Sequence, residues 1–299
     1  MNTPSSATVA SVPTVLITGA STGIGRATAL HLAGVGWTVF AGVRKIADGE
    51  TLAADGGVRV EPILLDVTDP AQIAAAVERV NEHGGRLDAL VNNAGIGYGG
   101  PLELIPIDDL RNQLEVNVLG PVAVTQALLP ALRRARTLKG TPRGRTAGGR
   151  VVLVSSIGGR VAMAFTAPYA ASKHAIEAIG DALRVELRSS HVQVALIEPG
   201  SVATPIWDKS RAQGDGLSVP PELAAQYGHV EAAMRKVIDD TERRGVPPEQ
   251  VAKTIEHALT ARRMKARYVI GRDARAMLIA RRLLPDHVFD RVAQRALGV

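Results

Sequence analysis

The sequence predicts an α/β fold, a doubly wound parallel sheet with helices on both faces, running as one domain over residues 13–299. Three observations lead there. Short apolar, β-branched runs alternate with helix-length stretches along the whole chain, the pattern of successive βαβ units. The first run passes through a glycine-rich turn directly into a helix. No internal repeat and no change of composition marks off a second domain, and 299 residues at 46% hydrophobic can bury one sizeable core.

The elements follow in order. Thr14–Ile17 reads as a buried strand and Arg26–Ala33 as the helix after it. Trp37–Val43, Ile63–Leu65, Leu87–Val91, Val151–Val154 and Val192–Ile197 are the next strands. Pro247-Pro248 opens a helix over Val251–Ala261, and Arg267–Gly271 is a short last strand. Residues 273–299 form a helical extension that Pro285 divides into two amphipathic pieces. Met1–Val12 carries no Lys or Arg and is rich in Ser, Thr and small residues, so it is expected to be a disordered tail rather than a secretory signal. No apolar run reaches the roughly 18 residues of a membrane span.

The turn Thr18-Gly19-Ala20-Ser21-Thr22-Gly23-Ile24-Gly25 has the strand–turn–helix context of a dinucleotide fingerprint, with spacing G-x3-G-x-G. Gly19 allows the tight turn, Gly23 lets backbone approach a pyrophosphate, and Gly25 lets helix pack on sheet. The helix start supplies N–H groups and a positive dipole end for phosphates. After the second strand, Arg44-Lys45 stands where an acidic residue would bond a ribose 2′-hydroxyl. A guanidinium grips a 2′-phosphate, so Arg44 favours NADP; NAD stays the alternative, with Arg44 stacked on adenine.

Tyr169 and Lys173 lie at i and i+4 in a helix expected after Pro168, on one face. A phenol with a reference pKa of about 10 needs help near neutrality, and an ammonium one turn away is expected to lower it. Ser156, just past the Val151–Val154 strand, sits at the strand end where open parallel sheets present ligand-binding groups. It could donate to a carbonyl oxygen while Tyr169 moves a proton. No cysteine is present and the seven histidines show no ligand spacing, so no metal is expected.

These motifs together resemble the short-chain dehydrogenases/reductases over roughly residues 14–205. Thr18–Gly25, Asn92-Asn93-Ala94-Gly95, Asn117, Ser156, Tyr169-x3-Lys173 and Pro199–Thr204 stand in that family's order. Ile197-Glu198-Pro199-Gly200 and the Arg267-Tyr268 strand are similar to the retinol, hydroxysteroid and 3-hydroxybutyrate dehydrogenase branch. The resemblance implies a Rossmann fold and an enzyme that interconverts a secondary alcohol and a ketone by hydride transfer. Tyr169 would be the general acid/base, Lys173 would lower its pKa and hold the nicotinamide ribose, Ser156 would orient the carbonyl, and Asn117 would hold a water passing protons onward. Gly19, Ser21, Thr22, Gly23, Ile24, Gly25, Arg44, Asp66, Val67, Asn93, Ala94, Gly95, Pro199, Gly200, Val202 and Thr204 would bind the cofactor with Tyr169 and Lys173, Asp66 at the adenine.

Substrate specificity is expected in two segments. One lies between Ser156 and Tyr169, where Val161, Met163 and Phe165 suggest an apolar pocket for a steroid-, retinoid- or lipid-like molecule. The other is a lid over residues 205–245, helical from roughly Pro221. Arg160, Lys209 and Arg211 are candidates for gripping a carboxylate, which keeps an NAD-dependent 3-hydroxy-acid dehydrogenase as the alternative, beside a non-catalytic nucleotide sensor on the same scaffold. The net charge of +6 is concentrated in two places. Residues 133–150 hold seven Lys and Arg with no acid, and residues 258–299 hold ten against three Asp. The first is expected to be a solvated, mobile loop rather than a nucleic-acid site, since no aromatic residue interleaves. The second is expected to cover the site or a partner subunit, with a membrane surface as runner-up. A homodimer or homotetramer through helices around Leu110–Leu132 and Ala170–Arg188, packed by Ala170, Ala171, Ala175 and Ala178, and a cytoplasmic location complete the expectations.

Overall fold

The computed structural model describes residues 12–135, 148–204, 206 and 219–297. The expected tail apart from Val12, the segment 136–147, Lys209 and Arg211 lie outside the described residues. The strands are β1 (Thr14–Ile17), β2 (Thr38–Val43), β3 (Val60–Leu64), β4 (Ala89–Asn92), β5 (Arg150–Val154), β6 (Gln193–Pro199) and β7 (Arg267–Ile270). They pair in parallel in the order β3-β2-β1-β4-β5-β6-β7. The winding reverses between β1 and β4, where Leu16 pairs with Leu90 and Ile17 with Val91. The crevice outside the carboxyl ends of these two strands is therefore the place for a ligand.

The helices before the reversal are α1 (Gly23–Gly34), α2 (Ile46–Gly56) and α3 (Pro70–Glu82). After it come α4 (Ile107–Leu114), α5 (Gly120–Arg133) and α6 (Ala167–Glu186). The lid and C-terminal region hold α7 (Ala224–Tyr227), α8 (Val230–Arg244), α9 (Pro248–Thr260), α10 (Arg272–Leu283) and α11 (Asp286–Leu297). Side chains alternate across the sheet. Val15 and Ile17 join Leu32 of α1 and Ile255 of α9 on one face, while Leu16 joins Val80 of α3 and Leu128 of α5 on the other. With both faces covered, the inner strands are apolar between their ends, save for Glu198 of β6.

Local chemistry sets the helix ends differently. α3 is closed by its own sequence: Asp69 accepts from the amides of Ala71 at 2.8 Å and Gln72 at 3.3 Å, and Pro70 follows at the first helical position. α1 has no such cap, because the Thr22 side chain makes no capping bond and no acid lies in the first turn. Its leading amides stay available to an anion.

Two expectations are corrected. Arg150 is not part of a solvated basic loop. It is 1% exposed and donates to the carbonyls of Ala258 at 2.7 Å and Ala261 at 2.6 Å, closing the carboxyl end of α9. Ala170 is buried within the chain and cannot pack a partner subunit. The helical run Ile107–Arg133 holds an 18-residue window of mean hydropathy 1.3, enough by length and composition alone to cross a membrane. It nevertheless carries the core residues Val124, Leu128 and Leu132 and the buried polar Gln113, Asn117 and Thr125. Strand limits otherwise move by three residues at most, as for β3, which begins at Val60 rather than Ile63.

Candidate active site

Two turns meet at the reversal of winding. The Thr18 hydroxyl accepts from the amides of Asn93 at 3.0 Å and Ala94 at 2.9 Å, and the Asn93 side-chain amide donates to the Thr18 and Gly19 carbonyls, both at 3.0 Å. The glycine-rich turn is thereby fixed to the Asn92–Gly95 turn. Gly19 has φ +65, and a Cβ on it would stand 2.8 Å from Ala94 Cα. A Cβ on Gly25 would run into the Gly19 carbonyl and lie 2.5 Å from Asn93 Nδ2. The backbone is pressed together here, beside the uncapped start of α1, which is the cradle a pyrophosphate needs.

Above this cradle, α6 carries Tyr169 and Lys173, both almost fully buried. Lys173 Nζ lies 5.7 Å from the Tyr169 ring centre and donates to the Val154 carbonyl at 2.9 Å. Ser156 opens the 3-10 turn Ile157–Gly159, accepts from the Gly158 amide at 3.1 Å, and hydrogen-bonds Tyr169. Asn117 sits in a π-helical turn, Glu115–Leu119, between α4 and α5. Such a turn re-aims side chains at many functional sites. Its side chain is held at three points: it accepts from the Ile96 amide at 2.9 Å and donates to the Ile96 carbonyl at 2.9 Å and to Ser172 Oγ at 3.0 Å.

Electrostatics differ from the expectation at one point. The Tyr169 phenol is pushed up, not down: burial disfavours the phenolate, and the bond with Ser156 only partly offsets this. Lys173 is itself buried, which pulls its ammonium down to about 8 against the opposing charge of Glu177. A buried ammonium loses part of its advantage to desolvation, so the i, i+4 spacing alone does not lower the phenol's pKa.

A cavity of about 630 Å³ connects these parts. The expected cofactor residues from Gly19 to Gly25, then Arg44, Asp66, Val67, Asn93, Ala94, Gly95, Pro199, Gly200, Val202 and Thr204 all border it or belong to its turns, as do Ser156, Tyr169 and Lys173. Arg44 is exposed at its edge and makes no ion pair among the described residues, while Asp66 accepts from Thr68 Oγ1 at 2.8 Å. Val161, Met163 and Phe165 line the apolar part, and Phe165 is held at φ +64. Arg160 Nη1 pairs with the buried Glu198 at 3.2 Å, while its side chain stays 39% exposed.

Sequence reasoning expected a lid over residues 205–245 and a covering C-terminal segment but named none of the residues of the far wall. Met234, Val237 and Ile238 of α8 and Met277 of α10 close the cavity, so three of the chain's five methionines line it. Asp273, in the first turn of α10, accepts from the Ser201 amide at 2.8 Å and so clamps the Pro199–Ser201 turn. The helical lid and the amphipathic C-terminal pieces were legible, but nothing local says which of their residues reach the cavity.

The sequence model of the short chain dehydrogenase family matches residues 13–215. The chain belongs to this family. Among other short-chain dehydrogenases, it is 36% identical over 284 residues to the NADPH-dependent 3-dehydrocapnine reductase of Ornithobacterium rhinotracheale, covering 94% of this chain and 96% of that one. It is 37% identical over 295 residues to mouse (Mus musculus) retinol dehydrogenase 5, covering 93% and 86%. A solved short-chain dehydrogenase of Burkholderia cenocepacia in complex with NADP superposes with a TM-score of 0.68 at 25% identity, covering 96% and 98%. This short-chain dehydrogenase is an NAD(P)-dependent oxidoreductase with a Rossmann fold.

Proposed function

We propose that the chain is an NADP-preferring oxidoreductase that interconverts a ketone and a secondary alcohol on an apolar, lipid-like substrate, with Tyr169 moving the proton. The observation that carries this reading is the buried Ser156–Tyr169–Lys173 group beside a methionine-lined apolar cavity. The bound nicotinamide supplies or accepts the hydride. Toward the alcohol, Tyr169 donates its proton to the carbonyl oxygen as the carbon is reduced, and Ser156 donates a hydrogen bond to the same oxygen. The raised phenol keeps its proton at neutral pH, ready as an acid, and the Lys173 ammonium stabilises the phenolate left behind. Asn117 pins Ile96 and Ser172 in place through its side-chain amide.

Arg44 supports NADP, since a guanidinium stands where a carboxylate would repel the 2′-phosphate, and a relative is named an NADPH-dependent reductase. Exposed Leu119 and Val185, at 53% and 65%, support a homo-oligomer through the α5–α6 face.

The test follows reduced-nicotinamide absorbance with long-chain and cyclic ketones and both cofactors. Tyr169→Phe is expected to lower kcat by about 10³-fold, and Arg44→Asp to raise KM for NADPH about 10-fold while sparing NADH. Undiminished turnover by Tyr169→Phe would overturn the proposal.

A further inference from the structure

Five charged side chains gather beside the active site and take no part in the chemistry above. Arg267 Nε of β7 lies 2.9 Å from Glu198 Oε1 of β6 and 3.0 Å from Glu177 Oε2 of α6, one N–H group between two carboxylates. Arg267 Nη2 pairs with Asp181 at 2.6 Å, and Arg160 Nη1 reaches Glu198 at 3.2 Å. Glu198 is fully buried and Glu177 is 5% exposed. Burying such a pair yields no stability over apolar packing of the same shape, so its location calls for another reason.

Three members adjoin parts of the active site. Arg160 ends the turn that begins at Ser156, and Glu198 immediately precedes Pro199-Gly200. Glu177 follows Lys173 by one helical turn, on the same face. The Gly159 turn closes on this level of α6: a Cβ there would stand 2.8 Å from the Lys173 carbonyl and 3.0 Å from Glu177 Cγ. We propose that the cluster Glu177–Arg267–Glu198–Arg160 is a positioning device for the Tyr169–Lys173 pair, with Glu177 the member that acts on the Lys173 ammonium. It rests on the reading of Tyr169 and Lys173 as the proton-transfer pair.

The charges facing Glu177 are Lys173 and Asp181 on its own helix, Arg160 after Ser156, Glu198 from β6 and Arg267 from β7. Tyr169 is the titratable neutral group on α6, and α4 with its π turn adds the neutral Gln113 and Asn117. Arg267 divides its charge among three carboxylates, and Glu177 Oε1 is buried without a hydrogen-bond partner among the described residues. Its negative charge is thus incompletely neutralised. It acts on Lys173, holding the ammonium against the burial that would discharge it. Burial and the charge of Glu177 push the Glu198 carboxyl above the usual carboxylate range.

The experiment compares pH profiles of kcat/KM for ketone reduction in the full chain, with melting temperature as control. In Glu177→Gln, Lys173 discharges earlier, so the alkaline limb is expected to move to lower pH by on the order of half a unit or more. Substrate KM stays within about two-fold, since no cavity-lining residue is altered. Glu177→Asp keeps the charge but withdraws it by one methylene, so it moves the limb part-way and serves alone if Glu177→Gln does not fold. A lowered melting temperature with an unmoved limb would reduce the cluster to packing and overturn the proposal. Tyr169→Phe separates the two readings. If it stays active, the proton-transfer assignment itself fails; if it is inactive and the Glu177 variants keep the parental limb, only the positioning role fails.

Discussion

Gly200 lies against the carboxylate of Asp273, across 73 positions of chain: a Cβ on Gly200 would stand 2.5 Å from Oδ2 and 2.6 Å from Oδ1. The same Oδ2 accepts the Ser201 amide at 2.8 Å, so the bare glycine lets the first turn of α10 hold the turn expected at the nicotinamide. Gly200→Ala is expected to break this clamp and raise the cofactor Kd about 10-fold, or ~1.4 kcal/mol. Combined with Asp273→Ala, it should cost much less than the sum of the two changes, because both remove one contact. Calorimetric titration with NADP and NAD checks this, and strict additivity would count against the clamp.

Lys173 sets the second expectation. Its ammonium is pulled down to about 8 by burial, so it is charged below that pH and neutral above it. The phenolate that Tyr169 leaves needs the positive charge, so activity is present at neutral pH and lost as the pH rises through the Lys173 pKa. With the cofactor as varied substrate, kcat/KM reports the free enzyme, and its alkaline limb is expected near 8 rather than near the ordinary lysine value of 10.5. A flat profile up to pH 10 would show that Lys173 is not the group in question.

The lid offers a third. A Cβ on Gly99 would collide with the Met234 methyl group and lie 3.2 Å from the Phe165 carbonyl. Met234 is a flexible side chain that can yield, so Gly99→Ala should cost less than about 1 kcal/mol of stability. It should shift α8 relative to the cavity and raise KM about five-fold for long apolar ketones while leaving short ones unchanged. Kinetics across a chain-length series measure this, and Met234→Ala in the same background should restore the long substrates.

How much was legible follows from the range of each signal. The Thr18–Gly25 turn, the Asn92–Gly95 turn and the Tyr169–Lys173 spacing are local patterns, and each forms at the expected residues because a tight turn or an i, i+4 pair is decided within one turn of chain. Arg150 was misjudged for the complementary reason. Its partners, Ala258 and Ala261, lie 108 and 111 positions away, and composition sees only a basic residue in a basic segment. Tyr169 shows a subtler failure. The spacing placed Lys173 beside it, but burial, which the spacing does not report, decided the direction in which the phenol moved.

By itself the sequence determined the family, the sheet with its cofactor cradle, and the serine, tyrosine and lysine, because their geometry is set by neighbours along the chain. Only the tertiary structure decided what closes the site: Asp273 on Ser201, Met234 against Gly99, and Arg267 between Glu177 and Glu198. Those contacts depend on how distant helices come to rest on a shared core, and burial then fixes which charges hold and which yield.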